Sequence, residues 1–149
     1  MSPEAVRIVV DASVVIKWQF DDEEYVQQAR LLRLDIYLKG TFKLIAPPLL
    51  IYEVTNGIAT AIRMKRLTEN KAQELIRHFL ALEVDIREVD PLLILDLALK
   101  HNLTAYDSAY LALSQIEQCD LWTGDRPFYR ALKSKTSRVR WIGDYPGVD

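Results

Sequence analysis

Acids stand at or just beyond the ends of the expected strands: Asp11 directly after Val6–Val10, Glu53 in the helix after a second strand, Asp107 in the first turn of a later helix, and Asp125 after a fourth strand. In open α/β sheets the carboxyl ends of the strands face the ligand crevice, so residues this far apart in the chain can converge there. Four carboxylates in one pocket repel one another unless a cation sits among them, and hard oxygen ligands select Mg2+ or Mn2+. The competing reading is structural. Asp11, Asp107 and Asp125 each lie where an ordinary helix N-cap or first-turn acid would lie, and Thr104-Ala105-Tyr106-Asp107 has the spacing of a capping box. Glu53 shares a helical face with Asn56 and Thr60 in a segment otherwise crowded with Leu, Ile, Tyr and Val, and its plain alternative is a solvated helix face.

Other chemistries have less support. Cys119, His78 and His101 are the only thiol and imidazoles, without zinc-like spacing, and both histidines fit polar helix ends or faces. No glycine loop of the P-loop or dinucleotide type is present. Asp11-Ala12-Ser13 lacks the second aspartate of an aspartyl phosphotransferase, and Asp96 reads as helix surface. Basic residues cluster at Arg63, Lys65 and Arg66, and again at Arg126, Arg130, Lys133, Lys135, Arg138 and Arg140, with no acid from Arg126 to Arg140. Such a stretch can hold phosphates and offset the repulsion the carboxylates exert on a polyanion, with Arg126, Arg130 and Lys133 the candidate contacts; its alternative is a solvated basic helix. Trp18, Phe20 and Tyr25 bracket the acidic turn Asp21–Glu24, with Trp18 assigned to the core.

The elements that must position these residues follow from periodicity. Val6–Val10 and Phe42–Ala46 read as strands buried in a parallel sheet. Between them, Tyr25, Ala29, Leu32 and Ile36 recur at helical spacing from Asp22 to Leu38. Pro47-Pro48 opens a helix to Arg66 that buries Leu50, Val54, Ile58 and Ala61. Thr68 caps a helix whose inward stripe is Ala72, Leu75, Ile76 and Phe79, leaving Glu74, Arg77 and His78 to water. Val84–Val89 alternates like a strand, Asp90-Pro91 opens a helix to His101, and Thr104 starts another through Gln118. Leu121–Thr123 is a strand, Pro127–Lys133 a helix, Val139–Ile142 a terminal strand and Gly143–Asp149 a tail. Strands alternating with helices predict a three-layer α/β/α sandwich around a central, mostly parallel sheet of about five strands, formed by one domain over residues 1–149.

Composition sets the outer bounds. The 149 residues are half hydrophobic and 27% charged, with 5 Gly and 6 Pro, which excludes disordered and low-complexity classes. One cysteine allows no internal disulfide, the N-terminus carries no export signal, and no apolar run approaches the roughly 20 residues of a membrane span, so the expectation is a cytoplasmic protein without membrane attachment. A net charge of −2 leaves only local attraction to nucleic acid.

Val9-Val10-Asp11-Ala12-Ser13-Val14-Val15-Ile16-Lys17-Trp18 resembles the opening motif of PIN-domain ribonucleases, particularly VapC-type toxins. Ala46–Asn56, Thr104–Leu113 and Leu121–Asp125 resemble the second, third and fourth motifs in order, so the likeness spans residues 8 to about 132. Trp122-Thr123-Gly124 departs from the usual wording, and the tail after Ile142 has no counterpart. The resemblance implies a PIN-like fold, catalytic and metal-binding roles for Asp11, Glu53, Asp107 and Asp125, and supporting roles for Ser13, Asn56 and Thr123. It also implies an endoribonuclease using Mg2+ or Mn2+ to activate water and leaving a 5′-phosphate. By the same resemblance it is a dimeric toxin whose small antitoxin wraps a hydrophobic groove and blocks the site. The rival is a non-catalytic RNA- or protein-binding module on the same fold, which the intact acidic set disfavours because a binder of polyanions gains nothing from convergent negative charge.

Overall fold

A computed structural model describes residues 5–148. Residues 1–4, where no export signal is expected, and Asp149 at the end of the expected tail lie outside the described residues. The chain runs β1 (Val6–Val10), α1 (Ala12–Gln19), α2 (Val26–Tyr37), β2 (Phe42–Ala46), α3 (Leu49–Arg63), α4 (Glu69–Ala81), β3 (Asp85–Ile86), α5 (Pro91–His101), α6 (Ala105–Ile116), β4 (Leu121–Thr123), α7 (Arg126–Leu132) and β5 (Val139–Trp141), followed by a 3-10 turn at Ile142–Asp144. The five strands form one sheet in the order β3-β2-β1-β4-β5, every neighbouring pair parallel. Right-handed crossovers lay α1–α4 on one face and α5–α7 on the other, giving the three-layer sandwich expected.

The strand order decides where a ligand can sit. The chain leaves β1 toward β2 and β3, then crosses back to place β4 on the other side of β1, with Val9 opposite Leu121 and Val10 opposite Trp122. Successive strands therefore depart in opposite directions from the β1–β4 pair, and the crevice at its carboxyl end is the topological switch point of the sheet. Asp11 follows β1, Thr123 ends β4, and Gly124 and Asp125 follow it.

Packing matches much of the periodicity. In α3 the buried residues are Leu50, Val54, Ile58 and Ala61. In α4 they are Ala72, Leu75 and Phe79, with the Thr68 hydroxyl accepting from Lys71 N–H. Asp90 caps α5 through Leu92 N–H with Pro91 in the first turn. Trp18 is a core residue whose indole N–H donates to the Ala29 carbonyl at 2.7 Å.

Four expectations need correction. The sequence reading had no helix at Ala12–Gln19; Val14-Val15-Ile16 is a β-branched run of low helix propensity, and burial of Val14, Val15 and Trp18 overrides it. The helix expected from Asp22 begins at Val26, because Tyr25 adopts a left-handed conformation (φ 58°) and Asp21–Glu24 form a turn whose carboxylates pair with Arg30, Arg66 and Arg126. The strand expected at Val84–Val89 contracts to Asp85–Ile86, a sheet-edge element pairing only with Ile45 and Ala46. The tail is anchored: Tyr145 is buried and stacked on Trp122, its hydroxyl donating to the buried Asp35 carboxylate at 2.5 Å, which also accepts from Val148 N–H at 3.0 Å.

Candidate active site

Asp11 is 6% exposed at the end of β1. It holds the N-cap position of α1, yet its side chain makes no capping hydrogen bond there. Its two oxygens accept instead from Ser13 Oγ and, at 2.5 Å, from Thr123 Oγ1 on β4. Ser13 Oγ in turn accepts from Gly124 N–H at 2.7 Å, and Thr123 Oγ1 from Asp125 N–H at 3.0 Å. The carboxylate is thus oriented by one hydroxyl from the first turn of α1 and one from the end of β4. Burial pushes its pKa up to about 7 against the pull of those hydrogen bonds, and the negative charge of Asp125 adds to the rise.

Asp125 is a helix cap as well: its Oδ1 accepts from Phe128 N–H at 3.1 Å and opens α7. One oxygen serves the cap and the other has no hydrogen-bond partner among the described residues. At Asp107 the capping-box reading is only half realised. The Thr104 hydroxyl accepts from Asp107 N–H at 3.1 Å, and the Asp107 carboxylate does not close the box. Burial raises that carboxyl to about 6, with Asp125 and then Glu53 adding their charge. The perturbations therefore join all four acids, since Asp125 acts on Asp11 and Asp107, and Glu53 on Asp107. They share one electrostatic field, although among the described residues no three His, Cys, Asp or Glu side chains already stand in ligating geometry.

Glu53 is fixed by a residue that sequence reasoning passed over. Tyr110, on α6 and 1% exposed, donates its hydroxyl to Glu53 Oε1 at 2.6 Å, and burial with that bond holds the phenol far above its ordinary pKa. The available signal was its position three residues after Asp107, on the same helical face. Close packing of α3 on α1 depends on Gly57, one turn beyond Glu53: a Cβ there would stand 2.7 Å from Ile16 Cδ1. Glu53, Ser13 and Asn56, with Tyr52 and Tyr106 at the rim, line an open cleft of about 370 Å3. Asn56 lines the cleft with no side-chain hydrogen bond among the described residues.

The donor set suits a hard divalent cation: carboxylates backed by hydroxyls, two of them raised in pKa so that a positive charge stabilises their ionised form. The soft or imidazole alternatives lie elsewhere. Cys119 is buried with its thiol pushed up to about 11, His78 faces water on α4, and His101 closes the last turn of α5 beside Lys100, as expected, though half-buried with Nδ1 enclosed and unpaired among the described residues.

Of the basic residues, Arg66 is engaged by Asp22 and Glu23 and stacks on Phe20. Arg126 is held by Glu24 and Tyr25 and lies over Trp141. Arg130 on α7 and Lys133 at its C-terminal cap are exposed without ion-pair partners among the described residues. With Arg126, Tyr129 and Trp141 they line a small open cavity of about 120 Å3.

The PIN domain family matches residues 8–133, a span that holds all four acids. The crystal structure of PAE2754 from Pyrobaculum aerophilum is similar in fold, with a TM-score of 0.62 over 93% of this chain and 92% of that one at 21% sequence identity. No curated protein matches the chain in sequence.

Proposed function

The chain belongs to the PIN domain family, whose members are generally nucleases, and on that premise we propose that it is a divalent-metal-dependent endoribonuclease, the toxin of a toxin–antitoxin pair. The observation that carries this reading is the shared field of Asp11, Glu53, Asp107 and Asp125 at the sheet's switch point, with Asp11 and Asp107 lifted well above the usual carboxylate range. A pure polyanion-binding surface gains nothing from that arrangement.

These four acids would hold Mg2+ or Mn2+. When bound, the cation supplies an acidified water and charge stabilisation at the phosphoryl oxygens. The chain's own residues prepare the site. Ser13 and Thr123 fix the Asp11 carboxylate, Tyr110 fixes Glu53, and the Thr104 cap sets the first turn that carries Asp107. Asp125 caps α7 with Oδ1, which leaves Oδ2 free to take part in holding the cation. Arg130 and Lys133 supply positive charge for phosphates flanking the scissile bond. Two surfaces support the partner assignments. Leu92, Leu95 and Leu99 of α5 are 71%, 53% and 75% exposed at positions that share one helical face, the apolar stripe expected of a homodimer contact. The apolar groove of about 490 Å3 between α3 and α4 suits a segment of a small antitoxin.

The test is digestion of end-labelled single-stranded RNA with Mg2+ or Mn2+ and with EDTA. Metal-dependent cutting that leaves 5′-phosphate ends, lost in Asp107→Asn, is expected. EDTA-resistant cutting, or RNA binding without cutting, would overturn it in favour of a different mechanism or of the binding module. Expression without its partner should slow growth, and Asp11→Asn should relieve this.

A further inference from the structure

Lys17 lies on α1 and is 5% exposed. An ammonium carries three donors and a charge that is costly to remove from water without a counter-charge. Among the described residues Lys17 has neither a hydrogen-bond acceptor nor an acid within ion-pair reach. Its nitrogen is nevertheless not one of the fully enclosed unpaired side-chain atoms, which are Gln19 Oε1 and His101 Nδ1. The stem is packed away and the charged tip still meets solvent, the arrangement of a long cation whose head serves something outside the chain.

Its place gives that role a direction. Lys17 is one turn after Ser13, so both lie on one face of α1. That face meets Gly124: Ser13 Oγ accepts from Gly124 N–H at 2.7 Å, and a Cβ on Gly124 would come within 2.5 Å of Lys17 Cε and 3.4 Å of Nζ. The glycine is the seat over which the lysine passes. On one side of it in the chain is Thr123, bonded to Asp11, and on the other Asp125. A cation placed to neutralise those acids would be bonded to one of them, and Lys17 is not. Beyond Asp125 in the chain come Arg130 of α7 and Lys133 just after it, both exposed without ion-pair partners among the described residues.

We propose that Lys17 is a phosphate-contact residue, its ammonium receiving a non-bridging phosphate oxygen of the RNA strand drawn into the acidic crevice. This rests on the nuclease reading and adds the cation that brings a polyanion against clustered carboxylates.

Lys17→Met keeps the stem and removes the charge, and Lys17→Gln keeps a donor without the charge. Two readouts separate binding from structure. Affinity for a labelled single-stranded RNA, measured in EDTA across a salt series, should fall several-fold in both variants, with the log–log salt slope reduced by about 0.7, one single-strand phosphate contact. The melting temperature of Lys17→Met should match or exceed that of wild type, because the buried stem keeps its packing and the ammonium removed has no partner within the described chain. An unchanged slope, or a lowered melting temperature with RNA affinity intact, would overturn the proposal and make Lys17 structural. Failure of the nuclease reading shows separately, as absence of metal-dependent cutting by wild type whatever the slopes.

Discussion

Asp125 caps α7 and is a proposed member of the cation site, and substitution can separate the two roles. Asn caps a helix about as well as Asp, whereas Ala at a cap costs typically about 1 kcal/mol. Asp125→Asn should therefore lose RNA cutting with its stability kept, and Asp125→Ala should lose both, as read by digestion alongside denaturant melts; Asp125→Asn with full activity would return this residue to a cap alone. Asp11 and Asp107 have a pH signature. Their pKa values of about 7 and about 6 lie above the ordinary 3.8, so between pH 4 and 7 the folded chain binds more protons than the unfolded one, and stability falls as pH rises. Metal-free protein should melt progressively lower from pH 5 to pH 8, Asp11→Asn should lose most of that slope, and saturating Mn2+ should flatten it. A melting temperature that climbs through this window without metal contradicts the buried acid cluster. The placement of Asp11, Asp107 and Asp125 was legible because strand ends and helix starts are marked by residue type. Tyr110 and Lys17 were not: one sits in an apolar run and the other between Ile16 and Trp18, so each reads as packing until the partner element is in place.

At the scale of elements, the candidate site forms where β1 and β4 are neighbours that the chain reaches from opposite directions, and Asp11 and Thr123 bond across that pair. Alternation of strands and helices made the sandwich readable, and helical periodicity gave the buried stripe of α3 residue for residue. The two misreadings with consequences were α1, where local propensity opposed tertiary burial, and the tail, whose polar and glycine-rich wording hides Tyr145. That residue stacks on Trp122 and bonds to Asp35, fastening the chain end over β4 and α2. Tyr145→Phe deprives a buried carboxylate of a donor while Val148 N–H remains, at a cost of about 1–3 kcal/mol. Tyr145→Ala also opens a cavity and should cost more, about 3–5 kcal/mol. Denaturant melts give both values, and a neutral Tyr145→Ala would mean the tail adds nothing to the fold. On α7, replacing Arg130 and Lys133 with Gln should weaken RNA binding and flatten its salt dependence by about 0.7 of a slope unit per lost contact; an unchanged slope makes that helix a solvated face.

For the whole molecule the net charge of −2 conceals a division of labour. The acidic turn Asp21–Glu24 is offset by Arg30, Arg66 and Arg126, while Arg130 and Lys133 are left to act outward. The leucine stripe of α5 predicts self-association: wild type should sediment as a dimer, and Leu92→Glu with Leu99→Glu as a folded monomer. A monomeric wild type at micromolar concentration would count against that contact. The central claim is that four acids brought together from distant parts of the chain form one cation site, and calorimetric melting in EDTA and in millimolar Mn2+ tests it most directly. Wild type should gain RT ln(1 + [L]/Kd), about 2.7 kcal/mol at a hundredfold excess over Kd. Asp11→Asn, Asp107→Asn and Asp125→Asn should gain far less, and Asp107→Asn, relieved of repulsion from Asp125 and Glu53, should melt in EDTA no lower than wild type. A wild type with no metal-dependent shift, or three Asn variants that keep the full shift, would contradict the convergent carboxylate site.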